Sequence, residues 1–132
     1  QQRPEACMKV LVDSSVWVAY FRGTASLSSL DLMIEEDMVV TNELILAELT
    51  PPLLVRGERK LAGILRDIEC FPLTIDWEDI IQMQVTCLRN GINKVGIPDL
   101  IIAQCAAQNS LSLFSLDKHF QLLGKHLPLN LQ

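Results

Sequence analysis

Short apolar runs alternate with longer stretches of helical periodicity along this chain, and this alternation restricts the possible folds more than any other feature. Runs of four to eight residues that end at polar or turn residues are typical of buried strands. We predict strands at Lys9–Asp13, Met38–Thr41, Cys70–Ile75, Leu111–Leu116 and, with the weakest pattern, Leu127–Leu129. Strands that alternate with helices predict an α/β domain whose central, mainly parallel sheet of four to five strands is flanked by helices.

The stretches between these runs carry apolar residues at the spacing of one helix face. The predicted helices are Val16–Arg22, Ser26–Asp37, a helix capped by Thr41 or Asn42 that runs through Leu49, Glu58–Asp67, Asp76–Asn90, Pro98–Asn109, and a short helix that ends near Lys125. The pair Pro51–Pro52 is predicted to break or kink the third of these, because proline removes a backbone N–H and clashes with the preceding turn. Trp17 and Trp77 are predicted to be core or interface anchors.

The length of 132 residues fits one domain, since single domains usually span about 100–200 residues. With 49% hydrophobic and 20% charged residues, the composition excludes a disordered chain. No stretch approaches the ~18 consecutive apolar residues of a membrane-spanning helix, so we expect no membrane association. Met8 is predicted to be the natural start, which makes residues 1–7 an N-terminal extension or expression remnant and residues 8–132 a single domain.

The net charge is −5, from 11 Lys and Arg against 16 Asp and Glu. This is the wrong sign for a protein that holds nucleic acid through its overall electrostatic field. An anionic substrate would therefore have to be held by a local basic patch or through bound cations.

The four cysteines indicate a reducing compartment. They show no C-x-x-C pair and no spacing typical of a metal site. Cys87 and Cys105 lie within apolar helical patterns, where a free thiol behaves as a small hydrophobic side chain. We therefore expect a cytoplasmic protein.

Two predicted strands end in an aspartate, Asp13 and Asp117. In an open parallel sheet the carboxyl ends of the strands form the ligand-binding edge, so neighbouring strands would bring these two carboxylates together. The simpler alternative is that each aspartate only caps the helix that follows, since Asp is a favoured cap residue.

Two further acids stand in informative positions. Glu48 shares a helix face with Leu44 and Ile45, and a carboxylate on an apolar face must be paired, protonated, metal-bound or at the edge of the core. Asp99 lies at a predicted helix start, where it can simply compensate the helix dipole. Taken together, four such carboxylates with few histidines favour a hard-cation site for Mg²⁺ or Mn²⁺. Such ions activate water and neutralise charge in phosphoryl displacement.

Four short motifs stand in order along the chain. They are Val12–Trp17, an acid followed by hydroxyl residues; Leu46–Leu49, with a helical glutamate; Gly96–Ala103, with an acid at a helix start; and Ser115–Phe120, with an acid after a strand. In this order and spacing they resemble the motifs of the PIN-domain family, and more narrowly those of VapC-type toxin ribonucleases. The resemblance covers nearly all of Met8–Gln132 and implies a PIN-like three-layer domain.

The resemblance also implies roles for individual residues. The metal-binding and catalytic acids would be Asp13, Glu48, Asp99 and Asp117. Ser15 or Ser115 would supply a hydroxyl to the network of metal and water, with Ser115 in place of the commoner threonine. Arg22 and Lys118 follow site acids and are candidates for contact with substrate phosphate. His119 is predicted to be a surface residue or a support for a site ligand, rather than a general base.

The function implied by the resemblance is that of a Mg²⁺- or Mn²⁺-dependent endoribonuclease, the toxin of a VapBC-type toxin–antitoxin pair. Its partners would be an RNA substrate, a cognate VapB-like antitoxin and a second copy of itself. A mean hydropathy of +0.26 agrees with apolar surface covered by a partner. Two alternatives are a PIN-domain nuclease of RNA maturation or DNA processing, and a catalytically inactive interaction domain that keeps the acids for structure.

Overall fold

The computed structural model describes residues 8–23 and 27–132. The strands and helices in these two ranges are β1 (Val10–Val12), α1 (Ser14–Arg22), α2 (Ser28–Glu35), β2 (Val39–Asn42), α3 (Glu43–Val55), α4 (Arg59–Asp67), β3 (Glu69–Phe71), α5 (Trp77–Arg89), α6 (Ile97–Gln108), β4 (Ser112–Phe114) and α7 (Lys118–Leu123). The predicted extension, residues 1–7, lies outside the described residues, as does Ser26, the predicted start of the second helix.

The four strands form one parallel sheet in the order β3-β2-β1-β4. Leu11 of β1 is paired with Val40 of β2 on one side and with Leu113 of β4 on the other. All three residues of β1 are buried, and since successive side chains of a strand point to opposite faces, helices cover both faces of the sheet. The predicted α/β architecture with a parallel, helix-flanked sheet is confirmed.

The fifth predicted strand, at Leu127–Leu129, is wrong. There the backbone turns tightly around Pro128, and the Leu129 N–H donates to the Leu127 carbonyl at 2.8 Å. The pairing with β4 occurs further along, where Leu131 forms an isolated parallel bridge with Leu113. Proline has no N–H to contribute to a strand ladder, which moves the pairing past Pro128.

The predicted break at Pro51–Pro52 is also wrong, because α3 continues through both prolines to Val55. Each proline leaves a carbonyl four residues earlier, at Ala47 or Glu48, without its usual helical donor. Those two residues and the prolines are all exposed, so water can bond to the freed carbonyls. The opposite side of the helix is anchored by buried apolar residues, among them Leu53.

The two tryptophans have different environments. Trp17 is fully buried in α1 and stacks against Phe21, with ring centroids 5.6 Å apart. Trp77, at the start of α5, is 57% exposed. Trp17 is therefore part of the core, whereas Trp77 is available for contact with another molecule.

A buried glutamine joins α5 to α6. Gln104 lies on the apolar helix α6 and is 3% exposed. Its amide NH₂ donates to the Asp76 carbonyl at 3.0 Å and to Asp79 Oδ2 at 2.7 Å, and its Oε1 accepts from the Asp76 N–H at 3.1 Å. Because its polar groups are all bonded, Gln104 fixes the start of α5 against α6 without an unsatisfied buried group.

Across the described ranges, no helix combines the length and the hydrophobicity that a membrane-spanning segment needs.

Candidate metal centre

Two acids meet at the carboxyl ends of the neighbouring strands β1 and β4. Asp13 follows β1 directly, and its backbone N–H donates to the Phe114 carbonyl, the last of β4, at 2.9 Å. Asp117 follows β4 after two further residues and begins α7. The parallel pairing of Val12 with Phe114 places both aspartates at the same edge of the sheet, as the strand pattern predicted.

Both aspartates also cap helices. The Asp13 carboxylate accepts from the Ser15 N–H at 3.4 Å at the start of α1. Asp117 Oδ1 accepts from the His119 N–H at 2.9 Å at the start of α7. The simpler alternative from the sequence is thus correct as far as it goes, but capping occupies only part of each carboxylate and does not prevent their convergence.

Asp13 is the most strongly held acid of the group, and it is only 5% exposed. Besides the capping bond, its Oδ2 accepts from the Ser15 hydroxyl at 2.8 Å and from the Ser115 hydroxyl at 2.9 Å. A buried carboxylate needs such donors, because an unpaired charge away from water is costly. All three of these bonds are made by one oxygen, which fixes the direction in which the other oxygen, Oδ1, points.

The two predicted serines link Asp13 to the strand-end loop on which Asp117 lies. The Ser15 hydroxyl accepts from the Leu116 N–H, and the Ser115 hydroxyl accepts from the Asp117 N–H, each at 3.0 Å. The two hydroxyl oxygens are 3.3 Å apart. These serines therefore set the relative position of the two acids, in addition to any contact they make with a metal-bound water.

Asp99, Asp117 and His119 form a second part of the cluster. One ligand atom from each residue lies within 4.8 Å of those of the other two. His119 Nδ1 is 3.3 Å from Asp117 Oδ1 and 3.8 Å from Asp99 Oδ2. This nitrogen is buried and has no hydrogen-bond partner in the structure. His119 thus stands inside the cluster, closer to the acids than a surface residue would be.

Asp99 is electrostatically strained. Partial burial and then the charges of Asp117 and Asp13 raise its pKa above the ordinary value of 3.8. The nearby His119 and a hydrogen bond from the Gly96 N–H act in the opposite direction without cancelling the shift. Its position in the first turn of α6 satisfies the helix dipole, but dipole compensation alone would not raise the pKa.

Glu48 completes the group from α3. Desolvation raises its pKa, followed by the charges of Asp13 and Asp99, while a hydrogen bond from the Ser14 hydroxyl lowers it. Its residue is exposed at the edge of the core, and its carboxylate faces the other acids. The structure therefore brings all four predicted acids together, and their service as metal ligands stays a prediction.

The two predicted phosphate contacts occupy different positions. Arg22 is exposed at the end of α1 and lines a groove of about 330 Å³ between α1, α3 and α4. This groove, here the α1–α3 groove, is also lined by Glu48 and Arg56 and by the apolar side chains Val18, Phe21, Leu49, Pro52, Leu53 and Leu61. Lys118 is exposed directly after Asp117, and among the described residues it makes no ion pair.

One basic residue near the site was not predicted. Lys94 lines a recess of about 220 Å³ together with Asn93, Ile92, Leu122 and His119. His119 is shared between this recess and the acidic cluster, so Lys94 reaches the border of the site from the α5–α6 loop. The sequence gave only a basic residue in a loop between Gly91 and Gly96, and the contact with α7 depends on the tertiary fold.

Comparison with known families identifies the fold. The family model described as PIN domain matches residues 10–125, which is most of the chain and includes all four acids. The chain belongs to the PIN domain family. A search of curated protein sequences gives no significant match.

Several solved structures share this PIN fold. A chain of VapBC2 from Rickettsia felis, solved with a DNA fragment from its promoter, superposes with a TM-score of 0.75 at 16% identity, covering 95% of this chain and 98% of that one. A chain of the DNA-bound VapBC from Salmonella typhimurium gives 0.75 at 14% identity, with 95% and 97% covered. A chain of VapBC-5 from Mycobacterium tuberculosis, a toxin–antitoxin system, gives 0.69 at 24% identity, with 94% and 97% covered.

Proposed function

We propose that this PIN domain is a metal-dependent endoribonuclease and the toxin of a VapBC-type toxin–antitoxin pair. The observation that carries the proposal is the convergence of Asp13, Glu48, Asp99 and Asp117 at the carboxyl edge of the sheet, with the pKa of Glu48 and Asp99 raised by like charge and burial. Fold similarity to chains of VapBC complexes supports the narrower assignment to a toxin.

The residues present fit a hard divalent cation. The donors are carboxylate oxygens, which Mg²⁺ and Mn²⁺ prefer, and a cation would relieve the repulsion that raises the pKa of Asp99. We propose that the four acids hold Mg²⁺ or Mn²⁺, with the Asp99–Asp117–His119 cluster as the best-defined part of the site. When bound, the cation would supply Lewis-acid chemistry: activation of water and neutralisation of phosphoryl charge.

The remaining side chains fit substrate binding and orientation. Ser15 and Ser115 hold the Asp13 carboxylate in one orientation, which keeps the acidic site preorganised. Arg22 and Lys118 are exposed cations beside the site and suit contact with phosphates that flank the cleaved bond. Since the net charge is −5, these local contacts and the cation have to replace a general attraction for RNA.

Incubation of the purified chain with labelled single-stranded RNA tests this proposal. We expect internal cleavage with millimolar Mg²⁺ or Mn²⁺, none in EDTA, and far slower cleavage of single-stranded DNA of the same sequence. Preferential cleavage of DNA would favour the alternative of a DNA-processing nuclease. Absence of cleavage with either metal, together with no metal binding by calorimetry, would favour the inactive interaction domain.

The antitoxin is the second proposed partner, and the α1–α3 groove is the surface that fits it. The groove is apolar along its length and has Glu48 in its wall, so a segment bound there reaches the acidic site. A basic side chain of that segment would pair with the acids and displace a cation. We expect a small reading frame immediately upstream whose product co-purifies with this chain and blocks RNA cleavage. Co-purification that persists after Leu53→Asp would place the partner elsewhere.

We also infer that the protein acts in the cytoplasm, where an RNA substrate is found and where thiols such as those of Cys87 and Cys105 stay reduced.

A further inference from the structure

Helix α5 has an apolar face that nothing in this chain covers. Its exposed side chains are Trp77 at 57%, Ile81 at 53% and Leu88 at 58%, and Ile97 at the start of α6 adds to them at 41%. Together with the half-buried Val85, these residues surround a shallow recess of about 320 Å³, and we call this surface the α5 face. Scattered exposed apolar residues are ordinary, but a contiguous row with a tryptophan is typical of a protein interface.

The α5 face is additional to the side of the helix that packs into the core. Ile80, Met83 and Cys87 are the buried residues of α5, and they belong to the opposite side. A 13-residue helix that is apolar on both sides is expected only where both sides are covered. The domain itself covers one of them.

Charges beside the α5 face indicate what covers the other. Glu78 and Arg89 lie 11 positions apart, which is close to three helical turns, so they stand on the same flank of the face. Both are exposed, and among the described residues neither forms an ion pair. Their signs also suit the helix dipole, but the dipole does not account for the apolar row between them.

This arrangement is self-complementary under a two-fold axis. An antiparallel copy of α5, centred between Met83 and Gln84, places Glu78 of each helix opposite Arg89 of the other. The same operation lays the apolar rows against each other, with each Trp77 near the end of the other helix where Leu88 lies. A parallel copy would instead oppose like charges at both ends, so the charge pattern selects the antiparallel arrangement.

We propose that a second copy of this chain packs on the α5 face, with the two α5 helices antiparallel and related by a two-fold axis. The proposal specifies the surface and orientation of the homodimer suggested by the sequence, and it does not depend on nuclease activity. Ile97 is part of the face and lies two residues before Asp99, so the dimer would bring the interface next to the acidic site.

A charge-reversal cycle tests the orientation. In a two-fold dimer each substitution acts twice, so Glu78→Arg or Arg89→Glu alone creates two like-charge contacts. We expect each single variant to weaken the dimer about tenfold or more at low salt, and the double variant to return to within about threefold of the wild type. Sedimentation equilibrium of the full chain measures these constants. A double variant as weak as the singles would overturn the antiparallel arrangement.

A matched pair of leucines tests the surface. Leu88 on the α5 face and Leu32 on α2 are exposed to nearly the same extent, 58% and 56%. We expect Leu88→Asp to be monomeric at tens of micromolar with a melting temperature near that of monomeric controls, and Leu32→Asp to remain dimeric. Wild type that is monomeric at this concentration, or Leu88→Asp that stays dimeric, would overturn the proposal. RNA cleavage, assayed separately, reports on the proposed function whichever result is obtained.

Discussion

Replacing Asp99 or Asp13 by asparagine should reduce metal-dependent RNA cleavage by about 100-fold or more while leaving the fold intact. Asparagine has nearly the shape of aspartate and can still accept the bonds from the Gly96 N–H or from Ser15 and Ser115. Only the negative charge is lost, and with it the attraction for a divalent cation. Single-turnover cleavage of a labelled RNA measures the rate, and circular dichroism checks the fold.

A matched control and a graded variant sharpen this test. Asp67→Asn makes the same chemical change at an exposed site at the end of α4 and should leave cleavage unaffected. Ser115→Ala removes one of the donors to Asp13 Oδ2, so it should weaken metal binding about tenfold and leave some activity. Full cleavage by both acidic variants in metal-stripped buffer would show that the four acids are not a metal centre.

The sequence predicted the architecture well, because the strongest signals were local. The runs at β1 and β4, each followed by an aspartate, are sufficient to place Asp13 and Asp117 at one edge of a parallel sheet. The predicted break at Pro51–Pro52 failed for a tertiary reason, because the prolines face water while Leu53 anchors the other side of α3. The fifth strand failed because Pro128 displaces the pairing to Leu131.

The site was predictable in its acids and less so in its neighbours. Asp99 and Glu48 could be singled out because carboxylates stood in apolar or helix-start contexts. His119 and Lys94 are far apart in sequence and share a recess only through the packing of the α5–α6 loop against α7. Gln104, within an apolar helix, gave no signal that its amide would bind both Asp76 and Asp79. Such contacts depend on long-range packing, which a periodic pattern cannot specify.

Stability should reveal the same acids without any assay of activity. In the metal-free protein, the pKa of both Asp99 and Glu48 is raised above the ordinary values of 3.8 and 4.5. The folded state therefore binds more protons than the unfolded state at pH values just above these ordinary values. The stability associated with these groups is fully present below their unfolded pKa and is lost as pH rises through the folded pKa. We expect the free energy of unfolding in EDTA to fall as pH rises through that window, and Mg²⁺ or Mn²⁺ to reverse the loss near neutral pH.

The variant Asp99→Asn turns this into a sharp comparison. In EDTA at pH 7 it should melt roughly 3–5 °C higher than wild type, because removing the charge relieves about 1 kcal/mol of repulsion from Asp117 and Asp13. With saturating Mn²⁺ the order should reverse. A cation at 100 times its dissociation constant stabilises the wild-type site by about 2.7 kcal/mol, and the variant lacks one of the ligands. Asp67→Asn should follow wild type in both buffers. If Asp99→Asn melts lower in EDTA and the wild type does not respond to Mn²⁺, then Asp99 serves α6 as a dipole-compensating residue, and the acids at this edge of the sheet do not bind a cation.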